Sequence, residues 1–366
     1  MYCTSAEYIN FRNIAHEKLV FSDGVNIIYG DNAQGKTNAL EGIYLHAGCR
    51  SHRAARDRDM IAFGADHAKV KIGCLPNTPG ARELELDITL STSGRRVCRK
   101  NGLFVKRASD YIGNFRAVLF TPEHLSIVKD GPSERRAFID GALCQLSSAY
   151  LSHMQVYNRV LLQRNKLLSA ISKGELSAKS AEANLDVWTE KLSEESEIIS
   201  VMRDKYTKKL SELVGDIFTD MTSGGERVEI KYSSPKTKEE LLEQFRAARA
   251  KEFAMGSTLY GVHRDDLDIT LNSVAVRSFG SQGQQRSVSL AMKLAEGEIS
   301  RLSTGEYPVF LLDDILSELD RGRKEYIMSG ISGRQVIITA CTKEDLFDGA
   351  NIICCKNGRY GGDIDG

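Results

Sequence analysis

Apolar positions along the chain follow two different periods, and the change between them divides it. Val25 to Tyr29 is a short apolar run that reads as a buried strand, and "TNALEGIYLHA" beyond it repeats as a helix. "LELDITLSTSGRRVCRKNGLFVKRA" alternates apolar and polar residues as strands do, with Asn101-Gly102 as a strong hairpin turn. This predicts an antiparallel sheet beside the first strand and helix. From about Pro132 to Met255 the period lengthens. Ile139, Leu143, Leu146, Tyr150, Met154, Tyr157 and Leu161 recur at three- and four-residue steps, as do Trp188, Leu192, Ile199, Met202, Tyr206, Leu210, Leu213 and Ile217. Both series predict long amphipathic helices, joined by the polar stretch "SKGELSAKSAEAN" (Ser172 to Asn184). "YPVFLLDD" (Tyr307 to Asp314) then returns to strand and is apolar on both faces, as a central parallel strand must be. The pattern is α/β with a helical insertion.

Composition narrows the class. The chain has 366 residues, 42% of them hydrophobic and 27% charged, which fits a globular protein with a sizeable core. No apolar run reaches the ~20 residues that cross a bilayer. The start, "MYCTSAEYINFRN", lacks the basic and apolar regions of a signal peptide. Eight cysteines without a C-x-x-C or zinc-type spacing read as reduced thiols in the cytosol. Lys plus Arg and Asp plus Glu both number 49, so any nucleic-acid binding must come from local patches. Two candidates exist. Arg95, Arg96, Arg99, Lys100, Lys106 and Arg107 cluster around the hairpin with no acid between them, while Arg50, Arg53, Arg56 and Arg58 are diluted by Asp57 and Asp59.

The chemistry begins at the first strand. Gly30 to Thr37, "GDNAQGKT", fits the phosphate-loop pattern G-x-x-x-x-G-K-[ST]. Gly30 and Gly35 allow a turn that aims the N–H groups of Gly30, Asp31, Asn32, Ala33, Gln34 and Gly35 at phosphate oxygens. Lys36 would reach the β and γ phosphates, and the Thr37 hydroxyl would bind Mg²⁺. The paired carboxylates closing the second strand complete such a site, at the end where open α/β sheets bind ligands. Asp313 would hold the metal, and Asp314 would polarise an attacking water. A second anion site lies in "SFGSQGQQRSVSLAMKLAE" (Ser278 to Glu296), where Gly280, Ser281, Gly283 and Gln284 precede an apolar helix.

That stretch resembles the signature motif of ABC-type ATPases, and "ILSELD" (Ile315 to Asp320) is similar to their D-loop. More closely still, the chain resembles the RecF family of bacterial recombination-mediator ATPases. "FRN", "GDNAQGKTNALE", "SHR", "PEHLSIVKDGPSERRAFID" (Pro122 to Asp140), "GVHRDDL" (Gly261 to Leu267), "SQGQQR" and "LLDDILSELD" carry the resemblance over most of the chain. It implies an ABC-type P-loop ATPase head, with a parallel core sheet and an antiparallel side sheet, split around a helical arm. Residues 1–131 and 257–366 would form the head and 132–256 the arm. It also implies an ATP-dependent, DNA-binding homodimer that works with RecR and RecO at gapped DNA. One copy's Ser281, with Gly283 and Gln284, would face the γ-phosphate held by the other. Arg12 and Asn38 join the nucleotide-contacting set on the same ground, and Lys36, Asp314 and Ser281 would be the catalytic residues. Arg53, Arg56, Arg95, Arg96, Arg99 and Lys100 are the residues proposed to face DNA.

The chain departs from the ABC pattern in several places. "LFTPEHL" holds no Gln, with Glu123 the available substitute, and "VIITACT" (Val336 to Thr342) holds no switch His, with Thr339 the nearest polar side chain. The base position is Asp314 rather than the longer Glu, and Val262 precedes His263 where the family has Pro. Slow hydrolysis is the expectation. Two other readings share the phosphate loop. A membrane-transporter ATPase subunit conflicts with the helical insertion and the missing switch His, and a small-molecule kinase has no use for "SQGQQR".

Overall fold

The computed structural model describes residues 1–361 apart from 55, 79, 223, 234, 332 and 342–348. In chain order its strands are β1 (Tyr2–Phe11), β2 (Ile14–Val20), β3 (Val25–Tyr29), β4 (His67–Leu75), β5 (Leu84–Ser91), β6 (Val97–Lys100), β7 (Leu103–Val105), β8 (Ala117–Phe120), β9 (Val228–Tyr232), β10 (Leu267–Leu271), β11 (Val274–Ala275), β12 (Val309–Leu312), β13 (Val336–Ala340), β14 (Asn351–Lys356) and β15 (Arg359–Gly361). The helices are α1 (Lys36–Gly48), α2 (Ala108–Tyr111), α3 (Pro132–Leu146), α4 (Ser148–Ser172), α5 (Ala178–Thr222), α6 (Lys238–Met255), α7 (Val276–Phe279), α8 (Gln282–Thr304) and α9 (Arg321–Gly330). Among the described residues, no helix is long and apolar enough to cross a membrane. All eight cysteines are free thiols.

The chain forms two compact units. The first comprises Met1–Ser126, Ile217–Gly225 and Gly283–Gly366. Its parallel sheet has the order β15-β14-β3-β13-β12-β8, with β15 alone antiparallel. Every residue of β8, β12 and β13 is buried, which is why these strands read as unbroken apolar runs. The second sheet is antiparallel, in the order β2-β1-β4-β5-β6-β7. Its inner residues Tyr8, Val70, Ile72, Leu86 and Ile88 share one core with Leu40 and Ile43 of α1 and Ile28 and Leu311 of the parallel sheet. The hairpin turn expected at Asn101-Gly102 is formed, and both residues have positive φ (50° and 75°), as a two-residue turn of this kind demands.

The second unit comprises Ile127–Asp216 and Glu226–Gln282. Antiparallel pairing of β9 with β10 keeps the chain up to Gln282 in this unit, so the segment 257–282 lies with the helices and not with the head, where the sequence division at 256 would put it. The helices are also cut differently from the periodic pattern. Ser147 adopts an extended conformation and its side chain accepts from the Tyr150 amide at 3.1 Å, so α3 stops and α4 starts afresh. The polar connection shrinks to residues 173–177, because Ala178, Ala181 and Ala183 are good helix formers and open α5.

Three buried arginines organise the unit. Arg164 on α4 donates to both oxygens of Glu252 on α6 (3.0 and 2.6 Å) and to the hydroxyls of Thr189 and Thr258, with its guanidinium 4.4 Å above the Phe245 ring. Arg203 on α5 donates to both oxygens of Asp140 (3.0 and 3.0 Å) and to the Val262 carbonyl at 2.7 Å. Arg135 donates to both oxygens of Asp266 (2.6 and 2.8 Å). The stretches "GPSERRAFID" and "GVHRDDL" are therefore interlocked by ion pairs.

Candidate nucleotide site

The phosphate loop connects β3 to α1. A Cβ at Gly30 would stand 2.2 Å from the Cys355 carbonyl oxygen, and Gly35 takes a φ of +121°, so both positions require glycine. The β14–β15 hairpin clamps the loop from outside. Asn357 and Gly358 donate backbone N–H groups to the Gln34 side chain and carbonyl at 2.5 and 2.8 Å, and the Tyr360 hydroxyl donates to the Gly35 carbonyl at 2.9 Å. Asn13 ties Gln34 to Asn38: its Nδ2 donates to the Gln34 carbonyl at 3.1 Å while its Oδ1 accepts from Asn38 at 2.8 Å. Gln34, Asn38 and Asn13 of "FRN" fall in stretches that stand out in the sequence, whereas the clamping residues of the hairpin do not. Asn357 and Tyr360 sit in the chain's last described strand pair, with no local signal.

Lys36 is buried and its ammonium closes the loop on itself, donating to the carbonyls of Gly30 (2.6 Å) and Asp31 (2.8 Å) and to Sγ of Cys341 (3.1 Å). The Cys341 thiol in turn donates to Asn32 Oδ1 at 2.9 Å. Thr37, the next residue, donates its hydroxyl to Asp313 Oδ1 at 2.9 Å. The loop and the acidic strand end, 276 residues apart in sequence, thus meet directly.

Asp313 is buried at the end of β12. Its Oδ1 also accepts from the Thr339 hydroxyl at 3.0 Å, and Thr339 accepts from the Asp314 amide at 2.8 Å. Burial raises the Asp313 carboxyl above the usual range, opposed by the Thr37 and Thr339 hydroxyls. Thr339 therefore fastens both aspartates to β13, in the stretch where an ABC-type ATPase would carry its switch His. Thr342 of that stretch lies outside the described residues. Asp314 is exposed, with a left-handed φ of 50°, which turns its side chain away from the strand line and to 3.9 Å from Cys341 Sγ.

Glu41 on α1 closes the quoted stretch "GDNAQGKTNALE" without any assigned role, yet its fully buried carboxylate gathers "FRN" and "SHR". Arg12 of "FRN" donates to it through Nε (2.9 Å) and Nη2 (2.7 Å), and Ser51 of "SHR" donates its hydroxyl. Arg53 stands 3.9 Å away and donates to Asn38 Oδ1 at 3.1 Å. Burial opposes ionisation of Glu41, but the Arg12 and Ser51 hydrogen bonds prevail and hold its carboxyl below the usual range. Arg12, expected among the nucleotide contacts, is ion-paired with Glu41 and keeps part of its side chain exposed. Glu123 is exposed; burial raises its carboxyl, but the Thr121 hydrogen bond and its own amide outweigh that and lower it.

The signature stretch opens α8. Ser281 is exposed immediately before the helix, and Gly283 and Gln284 lie in its first turn. Arg323 on α9 donates to the Gly283 carbonyl at 3.1 Å and the Ser287 hydroxyl at 2.9 Å, and Arg286 donates to the Glu318 carbonyl at 3.1 Å. The "ILSELD" segment and the first turn of α8 are therefore laced together. Asp320 caps α9 by accepting from the Arg323 amide at 3.0 Å.

The six candidate DNA contacts divide. Arg96 is committed elsewhere: both oxygens of Asp57 and the Cys49 carbonyl take its donors. Arg99 donates to buried Asp87 at 3.4 Å, and Lys100 donates to Asn114 at 2.5 Å. Arg53 is held by Glu41 and Asn38 yet remains exposed, as are Arg56 and Arg95.

A phosphate loop, an acidic strand end bonded to it and a Gly-Ser turn opening a helix, on a parallel sheet flanked by an antiparallel one, define an ABC-type P-loop ATPase head. The RecF/RecN/SMC N terminal domain family matches residues 3–358. The chain belongs to the RecF family. It is 40% identical over 352 residues to the DNA replication and repair protein RecF of Acetivibrio thermocellus, covering 93% of each chain. It is 38% identical over 369 residues to that of Clostridium kluyveri, covering 98% of this chain and 99% of the relative. A solved structure described as the recombination mediator protein RecF-ATP in the RecFOR pathway superposes with a TM-score of 0.89 at 32% identity, over 98% of this chain and 97% of that one. The Smc head domain of Pyrococcus furiosus shares the fold, with a TM-score of 0.56 at 19% identity over 98% and 95% of the two chains.

Proposed function

We propose that this chain is an ATP-dependent DNA-binding clamp of replication and recombinational repair. It dimerises on ATP, engages DNA at gaps, and acts with RecR and RecO to load recombinase on single strands in the cytoplasm. Slow, DNA-stimulated hydrolysis resets it. The carrying observation is the 2.9 Å bond from Thr37 to Asp313, which assembles the two halves of a phosphate-and-metal site. Support also comes from relatives named DNA replication and repair protein and from a structural neighbour described with ATP and the RecFOR pathway.

The Thr37 hydroxyl and Asp313 carboxylate are hard oxygen donors on one side of the loop, a set that suits Mg²⁺. The metal, when bound, supplies charge neutralisation at the β and γ phosphates. Lys36 exchanges its loop carbonyls for phosphate oxygens, while the loop N–H groups and the start of α1 hold the remaining charge. Asp314 orients the attacking water. Ser281 of a second copy caps the γ-phosphate, so the nucleotide completes the dimer. Arg53, Arg56, Arg95, Arg99 and Lys100 supply DNA-facing charge, while Arg96 braces the fold. The test is phosphate release with and without duplex DNA, and no membrane partner. DNA-stimulated turnover that Lys36→Met abolishes supports the reading, and unaltered turnover in that variant overturns it.

A further inference from the structure

His52 lies between two residues that are fastened to α1. The Ser51 hydroxyl donates to Glu41 and accepts from the amides of Arg53 (2.9 Å) and Ala54 (2.7 Å), and the Arg53 side chain donates to Asn38 at 3.1 Å. This turn fixes the direction of the His52 imidazole, which packs edge-on to the Tyr44 ring with 6.0 Å between centroids. Both of its ring nitrogens are buried, and neither has a hydrogen-bond partner among the described residues. Folded proteins pair nearly all such groups, and a catalytic role is one of the few reasons to leave one unpaired.

The surroundings supply a partner. Burial lowers the imidazole to about 4, so at neutral pH one ring nitrogen carries a proton to donate and the other can accept. The carboxylates of Glu41 and Glu123 both act against that shift, so both lie near the ring. They differ in availability. Glu41 is fully buried, and its oxygens already accept from Arg12 and Ser51. Glu123 is exposed, on the turn Pro122–Ser126 that follows β8, where Thr121 and its own amide hold it locally. β8 ends beside β12, since the Asp313 amide donates to the Phe120 carbonyl at 2.9 Å. Glu123 therefore stands at the same edge of the sheet as Asp313 and Asp314.

We propose that His52 is a positioning residue for ATP hydrolysis: its ring N–H donates to the Glu123 carboxylate and turns it toward the sheet edge, where it orients the attacking water together with Asp314. The hydrogen bond forms as Glu123 leaves Thr121, and the fixed turn at Ser51 keeps the imidazole ready for it. This rests on the ATPase reading above and adds a second carboxylate, with its support, to the residues that orient water.

The test uses the full chain and the variants His52→Phe, His52→Gln and Glu123→Ala. It reads the melting temperature without nucleotide, and kcat and KM for ATP with Mg²⁺ and duplex DNA. His52→Phe removes two unpartnered nitrogens and keeps a planar ring against Tyr44, so its nucleotide-free melting temperature should equal or exceed that of the unaltered chain. Its kcat should fall about tenfold, the worth of one charge-assisted hydrogen bond, with KM changed by less than about twofold. His52→Gln keeps a side-chain N–H and should recover most of kcat. Glu123→Ala should lose as much as His52→Phe, and combining the two should cost nothing further, because the pair acts as a unit. Unaltered kcat in His52→Phe overturns the inference, as does a further loss when His52→Phe is added to Glu123→Ala. A lower melting temperature in His52→Phe, with His52→Gln equally inactive, makes the imidazole a packing residue and also overturns it. These outcomes leave the ATPase reading standing. Unaltered turnover in Lys36→Met would overturn that reading, and the role of His52 with it.

Discussion

The ammonium of Lys36 donates to Sγ of Cys341 at 3.1 Å, so a thiol lines the pocket in which the phosphates must be held. Cys341 is partly exposed, and its Sγ also lies 3.9 Å from the Asp314 carboxylate. A thiol reagent that reaches Cys341 would place a bulky group between Lys36 and Asp314. Maleimide should therefore block ATP turnover, ATP should slow the labelling of Cys341, and Cys341→Ser should stay active and resist the reagent. Mass mapping of the labelled cysteines checks this. Labelling of Cys341 at the same rate with and without saturating ATP would contradict the pocket's assignment.

Acid should destabilise the fold well before the carboxylates titrate. Burial lowers His46 to about 3, and burial also lowers His52 and His263 to about 4 and His124 well below its ordinary value. Each binds a proton on unfolding between its folded value and about 6.5, so the unfolded state gains protons there and stability falls as pH drops. For fully buried His46 the loss from neutral pH to pH 5 is about 2 kcal/mol. The melting temperature should fall between pH 7 and pH 5, and fall less in His46→Gln. A flat profile in the unaltered chain would show that these imidazoles charge freely in the fold.

The Arg164–Glu252 pair predicts asymmetric mutational costs. Both side chains are 1% exposed. Glu252→Gln leaves a buried guanidinium without its counter-charge, which costs about 3–5 kcal/mol. Replacing both by apolar residues, as in Arg164→Met/Glu252→Leu, should recover much of that loss. Denaturant midpoints of the three proteins decide it. A double variant as weak as Glu252→Gln would mean that the Thr189 and Thr258 hydroxyls, not the ion pair, dominate.

Legibility in the sequence follows distance along the chain. Val25–Tyr29, the loop to Thr37 and α1 are readable because strand, turn and helix signals are adjacent. β12 and the Asn101-Gly102 turn are readable for the same reason. The break at Ser147 is also local, yet the three- and four-residue spacing runs through it from Leu143 to Tyr150 and hides the cap. What no local pattern reveals are pairings set by the fold. Glu41 looks like one more helix glutamate, although Arg12, Ser51 and Arg53 converge on it. Arg96 looks as available as Arg95 until Asp57 is placed beside it. The clamp of Asn357 and Tyr360 on the phosphate loop depends on β14 pairing with β3, a contact between the two ends of the chain. The paired carboxylates at a strand end beside a phosphate loop already suggest the role of Asp314, whereas the dimer-facing role of Ser281 comes from family resemblance, since a polar turn before a helix reads alone only as an anion site.

ATP held by Lys36 and Thr37 of one copy and capped by Ser281 of another closes a dimer that Asp314 later opens: this is the central claim. Light scattering of the unaltered chain, Ser281→Arg and Asp314→Asn, each with saturating ATP and Mg²⁺, tests it most directly. Asp314→Asn should accumulate as an ATP-bound dimer, because removing the charge that orients water spares binding and slows hydrolysis. Ser281→Arg should bind ATP yet stay monomeric. If Ser281→Arg dimerises as fully as the unaltered chain, the signature turn is no interface and the clamp mechanism is contradicted.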